Sequence, residues 1–195
     1  MYYLLESIDK YAYTASVYGA FLKKLKKTAQ NNLILKPAEL IINDQDHEVF
    51  NADINEVAKK VSGDILYLDP PYNHRQYATN YHLLETIAKY DNPKIHGKTG
   101  LREYQNQKSL YCSRTQVKKA FKDLILKAKA KYIFLSYNNE GLMTSDDIKE
   151  IMSLRGKYGH FTKEYNRFKA DRDENRDHKT NKTTEYLHYV VCKNL

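Results

Sequence analysis

The residues Asp69, Pro70, Pro71 and Tyr72 combine a carboxylate, two prolines and an aromatic ring directly after a short apolar run. An exocyclic amine on a nucleobase has its lone pair delocalised into the ring, so acceptors must draw the nitrogen toward a tetrahedral geometry before it attacks a methyl donor. The Asp69 carboxylate and the Pro70 carbonyl can accept the two amine hydrogens. Tyr72 offers a face on which a base taken out of its duplex can stack. The four residues therefore predict a catalytic site for amine methylation, with a polar Pro-Pro turn as the alternative.

The element that must position Asp69 is the run of β-forming residues before it. Residues 64–68 (DILYL) are bounded by Gly63 and by the two prolines, which is typical of a short buried strand. Prolines cannot continue a sheet ladder and they restrict the residue before them, so Asp69 is expected to be extended at the carboxyl end of this strand. Open α/β sheets bind their ligands at that edge.

A second strand is predicted beside the first. The periodicity of Val117 to Ala130 predicts a helix, and the residues Tyr132 to Tyr137 predict a strand after it. The strand at 64–68, this helix and the second strand together form a β-α-β unit. In a parallel arrangement Tyr137 and Asn138 lie close to Asp69 and line a pocket for the base. An ordinary polar turn after the strand is the alternative.

The motif resembles the DPPY sequence of amino-group DNA methyltransferases of the adenine-N6 class. Its flanks extend the likeness, because residues 73–90 resemble the continuation in methylases of the D12 type from restriction-modification systems, and residues 132–141 (YIFLSYNNEG) resemble their next core strand and turn. The segment 97–102 (GKTGLR) resembles a branch that includes methylases of the sequence CATG.

This resemblance implies a fold, a cofactor and a substrate. The expected fold class is α/β, a partial Rossmann-like class I methyltransferase sheet with helices on both faces and an antiparallel edge. We expect strands over 158–168 and 185–192 to form that edge. S-adenosyl-L-methionine is the implied methyl donor and double-stranded DNA the implied partner, with Tyr72 contacting the base.

An acidic residue followed by an apolar side chain precedes the DPPY strand in related methylases. The matching pair here is Asp53 and Ile54, which the resemblance implies as cofactor-binding residues together with Asp69. The alternative is that Asp53 is the N-cap of a helix over 54–61. Candidate strands precede this pair at Leu33 to Leu35, Leu40 to Ile42 and Val49 to Ala52.

The FxGxG cofactor loop of the family is not found in this sequence, since none of the seven glycines forms a GxG. The likeness thus covers the carboxyl part of a family member. We expect residues 1–45 to be a helical remnant of the target-recognition region and residues 46–195 to be an incomplete catalytic domain. A separately encoded amino-terminal fragment is an implied partner. The alternatives are a catalytically silent product that retains DNA binding, and a methyltransferase for an amine of RNA or protein.

Charge and composition favour a polyanionic partner. The net charge is +8, and neutralising phosphates releases counterions; ordinary solubility is the alternative. The long connection from Asp91 to Arg114 carries Lys98, Arg102 and Lys108, which we predict to contact DNA phosphates. The alternative is that this connection is a disordered insert that binds no ligand.

Two cysteines, Cys112 and Cys192, constrain the chemistry further. Neither follows a proline, which argues against cytosine-C5 methylation. No metal-ligand spacing is present, and two distant cysteines favour a reducing compartment. No apolar run approaches the roughly 20 residues that span a bilayer, so we expect a cytoplasmic protein without a membrane partner.

Overall fold

The structure is a computed structural model, and it describes residues 2–11, 18, 24, 27–37, 39–166 and 182–193. The described chain contains six α-helices, six β-strands and three short 3₁₀ helices. The α-helices are α1 (Tyr2–Tyr11), α2 (Ile54–Lys60), α3 (Tyr77–Asn80), α4 (His82–Lys89), α5 (Val117–Lys127) and α6 (Ser145–Ser153). The β-strands are β1 (Ser62–Leu68), β2 (Ile95–His96), β3 (Leu101–Arg102), β4 (Lys129–Asn138), β5 (Gly156–Asn166) and β6 (Lys182–Cys192). The 3₁₀ helices are Lys27–Gln30, Gln105–Gln107 and Leu110–Cys112.

The chain divides into two compact units, each made of two stretches of sequence. The helical unit comprises Met1–His47 and Arg75–Lys108, and the sheet unit comprises Glu48–His74 and Ser109–Leu195. The predicted division at residue 45 refers to the functional regions of the family and stays a prediction.

The sheet unit contains a four-stranded sheet in the order β1-β4-β6-β5. Strand β1 is parallel to β4, with Leu68 beside Leu135, whereas β6 is antiparallel to both of its neighbours. The predicted α/β class and the antiparallel edge are therefore confirmed.

One face of this sheet forms the hydrophobic core with α2, α5 and α6. Helix α5 contributes Val117, Phe121, Leu124 and Ile125, which recur at helical spacing and are at most 2% exposed. The sheet contributes Ile133, Leu135 and Val190 from β4 and β6, all fully buried.

The predicted end of the helix that begins at Val117 is wrong. Helix α5 ends at Lys127 rather than Ala130, because the Arg155 guanidinium caps its end by donating to the carbonyls of Ile125, Leu126 and Ala128. Helix α6 is capped by Thr144.

The cap of α6 is a reciprocal capping box. The Thr144 hydroxyl accepts from the backbone N–H of Asp147 at 3.1 Å, and the Asp147 carboxylate accepts from the backbone N–H of Thr144 at 2.9 Å. Two backbone donors that a helix start leaves unpaired are thereby satisfied.

The second face of the sheet is apolar and largely exposed to solvent. Alternation along each strand places on it Ile65 and Tyr67 from β1, Tyr132 and Phe134 from β4, Leu187, Tyr189 and Val191 from β6, and Phe161 from β5. We call these eight residues the open face. The described helices of the sheet unit pack on the opposite face, whereas the sequence predicted helices on both.

The helical unit contains α1, α3 and α4 and the short antiparallel hairpin of β2 and β3. Helix α4 begins after Tyr81 and ends at Lys89, and its C-cap Tyr90 adopts a left-handed conformation with φ of 50°. Within the described ranges, no helix is long and apolar enough to cross a lipid bilayer.

The strands predicted at Leu33 to Leu35, Leu40 to Ile42 and Val49 to Ala52 are wrong, since these residues form neither helix nor strand. Their side chains are mostly exposed, as Ile41 (94%) and Val49 (95%) illustrate. β-Propensity reflects how well a side chain fits a pleated, half-buried surface. These side chains are mostly exposed, so propensity alone does not make them strands.

Candidate active site

The residue predicted to activate the amine follows the last residue of β1. Leu68 is buried (6% exposed) and fixes the end of the strand in the core, whereas the next residue, Asp69, is exposed. Among the described residues, none donates a hydrogen bond to the Asp69 carboxylate. Its oxygens are therefore available to accept from a ligand at the carboxyl edge of the parallel pair.

Tyr72 is held by the segment that follows β4. Its carbonyl accepts a hydrogen bond from the backbone N–H of Leu142 at 2.9 Å. Its ring meets the Tyr137 ring edge to face, with centroids 6.5 Å apart and an interplanar angle of 84°. The Tyr72 side chain remains 40% exposed, so one part of the ring is fixed and another is accessible for stacking.

Tyr137 supports this contact from inside the fold. The residue is 2% exposed, and its hydroxyl accepts from the backbone N–H of Met143 at 3.3 Å. Burial raises the pKa of Tyr137, an effect opposed by the hydrogen bonds from Met143 and Leu142. Gly141 lies against the ring, since a β-carbon there would be 2.1 Å from Tyr137 Cε1. The turn after β4 is thus tightly packed onto Tyr137.

Asn138 is also buried, at 7% exposed. Its side-chain oxygen accepts from the backbone N–H of Glu140 at 3.1 Å, which closes the first part of the turn. The structure brings Tyr137 next to Tyr72, and Asn138 is the residue that follows Tyr137 in the chain. Their predicted role in lining a base pocket stays a prediction, while their observed contacts are with the protein.

Asp53 is the N-cap of α2, as one of the two sequence interpretations predicted. Its carboxylate accepts from the backbone N–H of Asn55 at 2.9 Å, and Ile54 beside it is 38% exposed. An exposed carboxylate next to an exposed apolar side chain suits the ribose hydroxyls and the adenine of S-adenosyl-L-methionine. These residues fit the adenosine half of that cofactor, and their role in binding it stays a prediction.

A network that the sequence did not indicate fixes the start of α2. Asn55 Nδ2 donates to the carbonyl of Ala120 at 2.9 Å and to Asp123 Oδ2 at 3.0 Å, and Asn55 Oδ1 accepts from the Tyr111 hydroxyl at 2.9 Å. Burial is the main cause that raises the pKa of Tyr111 well above its ordinary value. The candidate cofactor residue Asp53 is therefore attached to a rigid part of the sheet unit.

The predicted DNA contacts Lys98, Arg102 and Lys108 lie in the helical unit, and their environments differ. Lys98 is exposed in the turn between Gly97 and Gly100, which have φ of 68° and 67°. Lys108 is exposed, with its Nζ 5.8 Å from the centroid of the Tyr104 ring.

Arg102 is instead 8% exposed and forms a bidentate pair with Asp91, at 3.1 Å from Nη1 to Oδ1 and 2.5 Å from Nη2 to Oδ2. The guanidinium holds the pKa of the Asp91 carboxyl below its usual value. Arg102 also donates to the Thr86 hydroxyl at 3.3 Å and so joins the hairpin to α4. The observed role of Arg102 is structural, and its predicted phosphate contact stays a prediction.

Together, the mixed α/β sheet and an accessible Asp-Pro-Pro-Tyr segment at its carboxyl edge define the class of amino-methyltransferases. The chain belongs to the D12 class N6 adenine-specific DNA methyltransferase family, whose sequence model matches residues 1–151. Methyltransferases of this class use S-adenosylmethionine as methyl donor. Within the described part of the chain, no group of three His, Cys, Asp or Glu side chains is arranged to hold a metal ion.

Three relatives illustrate how far the likeness extends. The chain is 58% identical over 187 residues to the type II methyltransferase M.NlaIII of Neisseria lactamica, covering 96% of this chain and 55% of the relative. It is 40% identical over 190 residues to M.FokI of Planomicrobium okeanokoites, covering 96% and 29%. It is 36% identical over 192 residues to M.CviAII of Paramecium bursaria Chlorella virus 1, covering 97% and 56%.

The chain therefore spans about half the length of two of these relatives and less than a third of the other. No solved structure matches it.

Proposed function

We propose that this chain is the catalytic part of a type II DNA adenine-N6 methyltransferase, acting on double-stranded DNA in the cytoplasm. The observation that carries the proposal is the Asp69 carboxylate, which stands without a hydrogen-bond donor from the described residues at the end of a parallel strand. The fixed backbone and half-exposed ring of Tyr72 lie three residues further on. The family match includes this segment.

In the proposed reaction, Asp69 and the Pro70 carbonyl accept the two hydrogens of the adenine N6 amine. The nitrogen lone pair is then directed at the methyl carbon, and a new N–C bond forms as the C–S bond breaks, with its electron pair remaining on sulfur. The amine loses one proton, which the Asp69 carboxylate can accept and pass to solvent. S-Adenosyl-L-methionine, when bound, supplies the methyl group on a positively charged sulfur.

The base must leave the duplex to reach Asp69, and Tyr72 is the surface proposed to stack on it. Tyr72→Ala should weaken binding of DNA with a mispaired target adenine by roughly 1–3 kcal/mol. Fluorescence anisotropy of a labelled duplex measures this change. Affinity equal to that of the native chain would contradict the stacking role.

The proposed partner is the amino-terminal part of a methyltransferase, supplied as a separate polypeptide. Two features support it: the FxGxG motif is missing from these 195 residues, and the relatives are much longer than the chain. A calorimetric titration with S-adenosyl-L-methionine is the first measurement. Saturable binding by the chain alone would show that this part is not needed for the cofactor.

The decisive experiment measures transfer of a tritiated methyl group to duplexes containing CATG or, as a control, CTAG. CATG is the first sequence to test because residues 97–102 resemble the branch with that specificity. We expect Asp69→Ala to abolish transfer and leave the melting temperature unchanged. Asp64→Ala is the matched control, because Asp64 is an exposed carboxylate of the neighbouring β1 that pairs with Lys131 at 2.7 Å. Ordinary turnover by Asp69→Ala would refute the mechanism.

Two further arms address the alternative functions. An RNA duplex of the same sequence tests for methylation of RNA. Binding of DNA without any methyl transfer, in the presence of the part of M.NlaIII that this chain does not match, would indicate the catalytically silent product.

A further inference from the structure

The open face is a continuous aromatic surface rather than a scatter of exposed side chains. Phe161 stacks on Tyr189 with ring centroids 5.5 Å apart and an angle of 25°, and Phe134 lies 6.3 Å from Tyr189. Phe134 is the registered neighbour of Tyr67, so the rings extend across all four strands. Gly159 makes room for this row, because a β-carbon there would be 2.3 Å from the Tyr189 hydroxyl.

This surface is accessible in the 195-residue chain. Ile65, Tyr67 and Phe161 are 60–65% exposed, although they project from the same sheet that buries Leu68 and Val190 on its other side. A contiguous apolar patch of this kind usually marks an interaction site. The other face of the same sheet is already covered by α2, α5 and α6.

The geometry of the sheet indicates what would cover it. An antiparallel sheet that leaves one face to solvent usually carries polar side chains on that face, whereas sheet faces covered by helices are apolar. The apolar side chains of the open face therefore indicate a covering layer. Four strands spaced about 4.8 Å apart are about 14 Å wide between their outer axes. Two helices side by side, with axes about 8–10 Å apart, would cover that width. The complementary surface is therefore a helical layer with an apolar face.

We propose that the open face is the docking surface for the part of a D12 methyltransferase that has no counterpart in this chain. The inference rests on the proposed function and specifies how its polypeptide partner binds. Nearly half of M.NlaIII, and nearly half of M.CviAII, lies outside the region that these 195 residues match. That is enough polypeptide to supply a helical layer, and 58% identity makes the M.NlaIII segment a usable probe.

The test is binding of the unmatched part of M.NlaIII, fluorescently labelled, to the 195-residue chain. The open-face variant carries Ile65→Lys and Phe161→Lys, which place charges on the surface without entering the core. The matched control carries Leu126→Lys and Leu154→Lys, at residues that are 47% and 53% exposed and lie outside the open face. We expect a one-to-one complex that the open-face variant weakens at least tenfold and the control changes less than twofold.

A second measurement does not depend on the lysine variants folding. The chain contains no tryptophan, so Tyr67→Trp introduces a single reporter on the open face, and Leu126→Trp is its control. After subtraction of the partner's own emission, the indole at position 67 should shift its emission to shorter wavelength and become protected from acrylamide when the partner binds. The indole at position 126 should do neither.

Failure to form a complex, or a complex that leaves the indole at position 67 exposed, would overturn the proposal. The proposal would also be overturned if the open-face variant and the control variant weakened binding equally. It would be overturned as well if the open face bound only a second copy of this chain. None of these readouts requires methyl transfer. A complex that forms through the open face but transfers no methyl group would contradict the proposed function and leave the docking surface intact.

Discussion

Lowering the pH should destabilise the sheet unit through one buried histidine. His188 is fully buried beneath the stacked ring of Tyr186, with centroids 5.2 Å apart, and its Nδ1 lies 2.8 Å from the Tyr158 hydroxyl. Its Nε2 has no hydrogen-bond partner among the described residues. Burial, with His160 nearby, lowers the pKa of His188 from 6.5 to about 4.

The sign and size of the effect follow from proton linkage. Between pH 6.5 and about 4 the unfolded chain binds a proton at this histidine while the folded chain does not, so the free energy of unfolding falls as the pH falls. For a single group with these two pKa values, the loss between about pH 7.5 and 5.5 is roughly 1.3 kcal/mol. Carboxylates add little over this interval, because most of them titrate at lower pH.

Urea denaturation followed by circular dichroism at about pH 7.5, 6.5 and 5.5 measures this loss. His188→Leu removes the titrating group. Between about pH 7.5 and 5.5 the variant should therefore lose roughly 1.3 kcal/mol less stability than the native chain loses. Val190→Ala is the control, since Val190 is a fully buried neighbour on the same strand. It should lower the stability equally at each pH. A pH dependence that persists undiminished in His188→Leu would refute the reasoning.

Two smaller predictions concern the segments around the site. Thr144→Ala should cost about 1 kcal/mol of stability through loss of the capping box, whereas Ser145→Ala should stay within about 0.5 kcal/mol; equal losses in urea denaturation would contradict the cap assignment. Gly141→Ala should cost roughly 1–3 kcal/mol because its methyl group collides with Tyr137. Combining it with Tyr137→Leu should recover part of that loss, and strictly additive melting shifts would count against a direct clash.

The elements that the sequence predicted well are those specified by local pattern. Strand β1 is bounded by its own glycine and prolines, and α5 shows its apolar stripe at helical spacing, so neither needs information from elsewhere in the chain. The DPPY segment could be proposed as a candidate site for the same reason. Its residue types and its position after a strand are visible without the fold.

The features that the sequence did not predict depend on distant partners. Arg102 looked like a surface cation in a long loop, but Asp91 and Thr86 enclose it. The end of α5 is set by Arg155, 28 positions after Lys127, and the backbone of Tyr72 by Leu142, 70 positions later. Pairings at such separations leave no periodic signal.

The parallel pairing of β1 also determines when the sheet edge that precedes Asp69 can form during synthesis. Ser62 is registered with Lys129, so β1 leaves the ribosome 67 residues before its neighbour exists. The strand β6 that flanks β4 follows later still, and much of the helical unit is synthesised in between. Closing so long a loop is entropically costly and slow. The nascent chain therefore carries an unpaired apolar strand while the next 67 residues are synthesised, and chaperones that bind such strands should engage residues 62–68 before any other part of the sheet.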